Sequence, residues 1–186
     1  MRRISPNALS LLRLLLTPII LVLQQQGTRQ GLTAALIVLL IAEFTDLVDG
    51  WLARRTGQIS DLGKLLDPLA DSIMRLLIFL GFLASGWMPL WMVAIIFARD
   101  IIISYLRTYA STRGIVLAAR WSGKTKAWFQ AIAQIGTILG WKLALDGVKL
   151  PFAQISWSLL FLATLVTALS VLDYLYVTVN KLNPRA

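Results

Sequence analysis

The sequence contains no cysteine and no histidine, and only nine of its 186 residues are acidic. Without cysteine, disulfide bridges and thiolate metal sites are excluded. Without histidine, the commonest general base and the commonest ligand of transition metals are also missing. A metal ion in this protein would have to be held by oxygen atoms, which favours Mg²⁺, Mn²⁺ or Ca²⁺ over Zn²⁺ or copper.

Apolar residues, by contrast, are in excess: they make up 58% of the chain, where a soluble domain has about 45–50%. The formal net charge is +9, which in a soluble protein would suggest a nucleic-acid partner. In a membrane protein, the same excess reflects cytoplasmic loops and anionic lipid. We therefore expect the partner of this chain to be the lipid bilayer and not a nucleic acid.

Hydrophobic segments recur along the chain, each close to the length of about 20 residues that crosses a bilayer core. Turn-forming stretches such as "QQQGTRQG" and "SGWMP" separate them. We expect an all-α integral membrane bundle that forms one domain over 1–186, with six transmembrane helices and a short N-terminal interfacial helix over 2–10. The six segments are 9–25, 31–54, 64–85, 88–112, 121–144 and 153–179.

Lysine and arginine are distributed unevenly between the two sides of this predicted bundle. Most of them lie on the side that carries both termini and the loop between the second and third segments, whereas the other side has Arg29, Lys142 and Lys149. Positive residues accumulate in the cytoplasm. The pattern predicts a multi-pass protein of the cell's inner (plasma) membrane with both termini in the cytoplasm.

Four of the aspartates occur at helical spacings in two neighbouring segments. Asp46 and Asp49 share a face near the end of the second segment, and Asp67 and Asp71 share a face at the start of the third. Because the two segments are antiparallel, the four carboxylates can meet at one depth, where they would repel each other unless cations neutralised them. Two divalent ions held in this way form a clamp for displacement at phosphorus. The spacing therefore predicts a metal site for two ions, Mg²⁺ or Mn²⁺.

Small residues and one cation accompany these aspartates. Gly50, Ala53 and Gly63 remove bulk beside the carboxylates, which permits close helix packing and access of a ligand to the backbone. Arg54 follows Asp49 by five residues, where a substrate phosphate would need a counter-charge. We expect a phosphate-bearing substrate at this site.

The complete pattern, D-x2-D-G-x2-A-R-x8-G-x3-D-x3-D over residues 46–71, resembles the signature of the CDP-alcohol phosphotransferases. The resemblance implies a six-helix membrane enzyme, usually a homodimer, that transfers a phosphatidyl or related group from a CDP-linked donor to an alcohol and releases CMP. It also implies that the aspartates hold the metal ions, with Asp71 coordinating in part or acting as the general base. The residues implied to border the CDP group are Asp46, Gly50, Ala53, Arg54 and Gly63.

Other stretches are similar to the phosphatidylglycerophosphate synthases of this family: "SPNALSLLRLLLTP", "LGKLLDPLAD" and "ARDIIISYLRTYASTRGIVLAARWSGKTKAWFQ". This resemblance implies CDP-diacylglycerol as the donor and glycerol 3-phosphate as the acceptor. Two positions depart from the subfamily pattern. Asp100 stands where glutamate is usual, and Ser72 stands where lysine is usual.

An acceptor that carries a phosphate needs cationic donors, and basic residues cluster in and after the fourth segment. Arg99 and Arg107 are about two turns apart on one helix face, and Arg99 lies deep in an apolar run. We predict that Arg99, Arg107 and Lys124 bind the acceptor phosphate. Arg75 either joins them or pairs with an acidic residue. We expect Asp173, Tyr174 and Tyr176 to be interfacial rather than catalytic.

The residues leave several alternatives open. The same chemistry could use inositol phosphate as acceptor, or phosphatidylglycerol as in cardiolipin synthesis. A divalent-cation transporter could use the aspartates as its ion site, although transporters more often repeat broken helices in both halves. A catalytically inactive relative acting as a scaffold is disfavoured because no position of the signature is missing.

Overall fold

The computed structural model describes the backbone of residues 6–56, 61–115 and 120–182, and the side chains of residues 10–45, 67–115 and 120–179. Within these ranges every regular element is an α-helix, as the sequence predicts. The helices are α1 (Pro6–Gln25), α2 (Arg29–Thr56), α3 (Asp61–Ala84), α4 (Leu90–Thr112), α5 (Trp121–Leu145) and α6 (Phe152–Leu182).

The predicted hydrophobic segments coincide with these helices to within three residues at each end. The interfacial helix is the exception. Residues 6–10 do not form a separate element, because they are the first turns of α1 and continue into it without a break. The rest of that predicted helix, residues 1–5, lies outside the described residues.

Two of the glycines in the left-handed region follow the ends of α3 and α5. Gly86, with a φ of 76°, follows α3, and Gly147, with a φ of 84°, follows α5. At both places the next residue's N–H returns to a carbonyl of the last helical turn: Trp87 N to Phe82 O at 2.9 Å, and Val148 N to Leu143 O at 3.1 Å. A residue with a Cβ is strained in this conformation. These tight ends make α3 and α4, and likewise α5 and α6, antiparallel neighbours.

The helices pack around one apolar core. α6 lies along α4 and α5, α1 packs against α2 and α3, and α2 also contacts α5. Near one end of the bundle, the rings of Trp87 and Trp141 are 4.5 Å apart between centroids. Core residues that are at most 2% exposed include Ile20, Leu32, Leu39, Met74, Ile78, Phe79, Phe82, Met92, Ile96, Ile138 and Leu160.

An ion cluster ties the α1–α2 turn to the end of α5. Asp146 accepts from Lys142 Nζ at 2.5 Å and pairs with Arg29 Nε at 2.7 Å, while Arg29 also donates to the carbonyl of Leu145. The hydrogen bond from Lys142, followed by the charges of Lys142 and Arg29, holds the pKa of Asp146 below its usual value. A depressed pKa stabilises the fold at neutral pH, and this stabilisation is lost as the pH falls through the lowered pKa.

Large apolar side chains also cover the outside of the bundle. Leu15, Phe44, Leu90 and Leu172 are all more than 60% exposed, which a soluble monomer rarely tolerates over so wide a surface. By length and composition, one helix within the described residues, Phe152–Val179 of α6, is apolar enough to cross a membrane. Buried polar and charged side chains, such as Arg13 on α1 and Lys126 on α5, also lie inside the bundle.

Candidate active site

The two aspartates at the start of α3 are held in different ways. Asp67 accepts a hydrogen bond from the hydroxyl of Ser10 on α1. One turn later, Oδ1 of Asp71 accepts from Arg75, with Nε at 2.8 Å and a terminal nitrogen at 2.7 Å. The α-helical spacing of four therefore places both carboxylates on one side of α3, as the sequence predicts.

Arg75 fixes the position of Asp71 from several directions. Its guanidinium is 5% exposed and lies 3.8 Å from a carboxylate oxygen of Glu43 on α2. It also donates to the carbonyl of Ala127 on α5 at 2.7 Å, and Gln134 donates to the backbone oxygen of Arg75. Of the two roles that the sequence leaves open for Arg75, the structure gives it the second, pairing with an acidic residue. This pairing joins α2, α3 and α5 around Asp71.

The remaining residues of the signature cannot be placed by their side chains. They lie in the second half of α2 and the first turn of α3, where the side chains are outside the part of the chain that the structure describes. Convergence of all four aspartates on one metal site therefore remains a prediction. The residues concerned are Asp46, Asp49, Gly50, Ala53, Arg54 and Gly63.

A second polar group lies where α4, α5 and α6 meet. Asp100 accepts from Arg99 at 2.9 Å and from Lys126 Nζ at 2.6 Å, and both cations are less than 10% exposed. Arg99 Nε donates to the hydroxyl of Ser170 on α6 at 2.9 Å. Burying a charge is costly unless it is paired and hydrogen-bonded, so Asp100 makes the burial of both cations possible.

Arg107 lies next to this group and is held by an aromatic residue. It donates to the hydroxyl of Tyr174 at 2.6 Å, and its guanidinium carbon is 5.3 Å from the centre of that ring. Its Nε atom is buried and has no hydrogen-bond partner among the described residues. A buried donor of this kind suits an anion that is bound during the reaction.

The start of α5 is fastened to α6 by an ion pair. Both carboxylate oxygens of Asp173 accept from Arg120, at 2.6 and 2.7 Å, and Asp173 also accepts from the hydroxyl of Ser122. Lys124, the third predicted acceptor ligand, is exposed, and its ammonium lies 5.1 Å from the centre of the Trp121 ring. The structure thus brings Arg99 and Arg107 of α4 together around Tyr174. Lys124, in the first turn of α5, lies on the outside of the bundle.

Sequence reasoning missed three residues that contribute to these groups. Ser10 contacts Asp67 from α1. Lys126 is the lysine of this region that faces the inside of the bundle. Its orientation could have been predicted from helical spacing, because Gln130, Ala133 and Thr137 follow on the same face of α5 and are buried too. The interfacial expectation is wrong for Tyr174, which is 1% exposed, because two arginines and the backbone of α5 surround its hydroxyl end.

A cavity of about 640 Å³ lies between α2 and α5, beside Arg75 and Glu43. Apart from these two residues its walls are apolar, so it suits a hydrocarbon ligand whose polar end reaches the charged pair. The apolar wall is formed by Leu40, Ile41, Phe44, Ala127, Trp128, Ala131, Ile132 and Ile135.

Comparison with known proteins gives a consistent result. The family model described as CDP-alcohol phosphatidyltransferase matches residues 3–176. The CDP-diacylglycerol–glycerol-3-phosphate 3-phosphatidyltransferase of Bacillus subtilis (strain 168) is 31% identical over 181 residues, which cover 91% of this chain and 92% of the relative. The protein of the same name from Escherichia coli (strain K12) is 33% identical over 175 residues, with the same coverage. The relative from Salmonella choleraesuis (strain SC-B67) is also 33% identical.

Proposed function

Because this chain belongs to the CDP-alcohol phosphatidyltransferase family, we propose that it transfers the phosphatidyl group of CDP-diacylglycerol to glycerol 3-phosphate. The products would be phosphatidylglycerophosphate and CMP. Two observations support this substrate pair. Relatives named for that reaction align with this chain over nearly their whole length, and Asp71 of α3 pairs with the buried guanidinium of Arg75.

The aspartates are proposed to hold two divalent ions, Mg²⁺ or Mn²⁺. Asp67 and Asp71 offer oxygen donors on one side of α3, the donor type that these metals prefer, and Asp46 and Asp49 would complete the set. When bound, the ions would neutralise the donor pyrophosphate and the charge that develops on departing CMP. Gly50, Ala53, Arg54 and Gly63, with Asp46, would border the cytidine and its phosphates.

In the proposed reaction, the acceptor hydroxyl oxygen forms a bond to the phosphorus that carries the diacylglycerol. The bond from that phosphorus to the oxygen of CMP breaks, and the hydroxyl proton passes to a carboxylate. Asp71 is the candidate base, since the chain has no histidine and two nitrogens of Arg75 hold this carboxylate in position. No covalent enzyme intermediate is needed.

The acceptor phosphate is proposed to bind Arg99, Arg107 and Lys124. Support for the two arginines comes from the buried, unsatisfied Nε of Arg107 and from the cluster of buried cations around Asp100. The cavity beside Arg75 supports a lipid donor, because it could take up part of the diacylglycerol chains.

We further propose that the whole chain, residues 1–186, is one membrane domain that crosses the inner membrane six times, with both termini and the active site on the cytoplasmic side. Exposed apolar side chains on helices other than α6 support this arrangement. A homodimer is proposed from the family resemblance alone.

The decisive experiment supplies the purified protein with CDP-diacylglycerol, Mg²⁺ or Mn²⁺, and a panel of alcohols, and measures CMP release. Release with glycerol 3-phosphate and not with inositol phosphate or phosphatidylglycerol is the expected result. Release only with another alcohol would overturn the acceptor, and transport of the metal ion without CMP release would overturn the enzyme reaction.

Replacement of one of the proposed metal-binding carboxylates by its amide tests the metal site. Asp67→Asn keeps the size of the side chain and an oxygen that can accept from Ser10, but removes the negative charge. We expect CMP release to be abolished while the thermal unfolding temperature stays close to that of the wild type. Near-normal turnover by this variant would contradict the proposed metal site.

A further inference from the structure

Tyr174 is a buried aromatic residue of α6 with a polar hydroxyl group. Its side chain is 1% exposed, and α6 brings it to the junction with α4 and α5. The hydroxyl accepts from Arg107 at 2.6 Å and lies 3.3 Å from the backbone nitrogen of Arg120, which also donates to it. The ideal Cβ position of Gly123 would be 3.1 Å from the same hydroxyl, so the start of α5 passes directly over it.

The ring of Tyr174 contacts two guanidinium groups. The guanidinium carbon of Arg99 is 5.5 Å from the ring centre, and that of Arg107 is 5.3 Å from it. Both distances are within the range of cation–π attraction. Ser170, one turn earlier on α6, accepts from Arg99 Nε. One face of α6 therefore holds both arginines without contributing a carboxylate to either of them.

The type of residue matters for the charge of the site. Arg99 shares Tyr174 with Arg107 and shares Asp100 with Lys126. Among the described residues, Asp100 is the one carboxylate that pairs with any of these three cations. A carboxylate in place of Tyr174 would neutralise the arginines and would compete with a bound anion. An aromatic ring with a hydroxyl orients the guanidinium groups and leaves their positive charge available.

We propose that Tyr174 is a positioning residue that orients Arg99 and Arg107 toward the phosphate of the acceptor substrate. The inference rests on the proposed function, because it takes the two arginines as acceptor ligands. Tyr174 acts on the substrate through these side chains, so its loss should impair acceptor binding and leave donor binding unchanged.

Steady-state kinetics on the full-length enzyme in Mg²⁺ test this, with CDP-diacylglycerol and glycerol 3-phosphate varied separately. Tyr174→Phe keeps the ring and removes the hydroxyl, and we expect the KM for glycerol 3-phosphate to rise about 5-fold. Tyr174→Leu removes both, and the rise should be about 30-fold. The KM for CDP-diacylglycerol should not change in either variant. Tyr176→Phe is the control, because Tyr176 is two residues away and 70% exposed.

A double variant separates positioning from a structural role. If Tyr174 acts through Arg107, Tyr174→Phe added to Arg107→Ala should raise the acceptor KM no further than Arg107→Ala alone. Independent, multiplying effects, or equal rises in the KM values of donor and acceptor, would overturn the proposal. The phenylalanine variant still decides the question if the leucine variant does not fold.

The identity of the acceptor and the role of Tyr174 can fail independently. If the wild-type enzyme releases CMP only with another anionic acceptor, the proposed substrate is wrong, and the KM for that acceptor decides the role of Tyr174. If only an uncharged alcohol is used, the positioning role is overturned as well.

Discussion

At the residue scale, Asp100 is the carboxylate on which the buried cations of α4 and α5 depend. It accepts from Arg99 at 2.9 Å and from Lys126 at 2.6 Å. Breaking a buried pair by removing one partner leaves an uncompensated charge, which costs more than the pair itself contributes. The free energy of unfolding should therefore be sensitive to this one side chain.

We predict that Asp100→Ala lowers the free energy of unfolding by about 3–5 kcal/mol. Denaturant unfolding of the purified protein in detergent, followed by tryptophan fluorescence, measures the loss. The matched control is Asp146→Ala, which also removes a carboxylate paired with two cations, at the other end of the bundle where Arg29 is mostly exposed. The control should lose much less stability, and equal losses would contradict the assigned role of Asp100.

Arg75 holds Asp71 through two nitrogens of its guanidinium. Arg75→Lys keeps the charge but cannot contact Asp71 through two nitrogens while a third donates to the carbonyl of Ala127. Because misplacement of a reacting group is costly, we expect kcat to fall roughly 10-fold or more. The KM for glycerol 3-phosphate should change little.

The control for Arg75→Lys is Arg113→Lys, which alters an exposed arginine whose described contact is the ring of Tyr109. Turnover of this control should equal that of the wild type. If Arg75→Lys kept full kcat as well, the two-nitrogen contact would not be needed to orient Asp71.

At the scale of the helices, apolar run length and glycine turns predict where each helix lies, because a helix boundary depends on local sequence. The side of a helix that faces the core is harder to predict where the buried residues are polar. In α5, Lys126 is inside, where Asp100 of α4 accepts from it, whereas Lys124 is outside, where its described contact is the ring of Trp121 on α5 itself. The spacing of four puts Asp67 and Asp71 on one side of α3 because this stretch is helical, whereas the burial of Tyr174 depends on contacts with α4 and α5 that no local pattern contains.

The α1–α2 turn provides a prediction at this scale. Gly31 is buried at the start of α2, and a Cβ there would be 2.7 Å from the backbone oxygen of Leu23, which cannot move without distorting α1. Gly31→Ala should therefore destabilise the protein by about 1–3 kcal/mol, the usual cost of overpacking. A gain in helix propensity of at most about 1 kcal/mol partly offsets this cost.

Gly136→Ala in α5 is the control for the turn, because the Cβ there would meet only the terminal methyl of Leu159, a side-chain end that can rotate. Denaturant unfolding should show a loss for Gly31→Ala and little or no loss for the control. A stabilising effect of Gly31→Ala would contradict the expected clash between the new Cβ and the backbone oxygen of Leu23.

At the scale of the whole molecule, the bundle has two chemically different ends. Arg107, Arg120 and Lys126 lie at the end where α4 finishes and α5 begins, together with the proposed active site. The other end carries the small ion cluster around Asp146. Exposed apolar side chains cover the length between them. The proposed orientation, with the site on the cytoplasmic side, requires such a difference between the two ends, because positive residues accumulate in the cytoplasm.

The absence of cysteine from the chain makes this orientation directly testable, because a single introduced thiol is the only one that reacts. Thr112→Cys places a thiol at the end of α4 and Val148→Cys places one in the α5–α6 turn, both at exposed positions. A membrane-impermeant maleimide added to spheroplasts should label Val148→Cys and not Thr112→Cys, since only the turn would face outward. After permeabilisation, both should be labelled. Labelling of Thr112→Cys in sealed spheroplasts would place the active-site end outside and would overturn the proposed orientation.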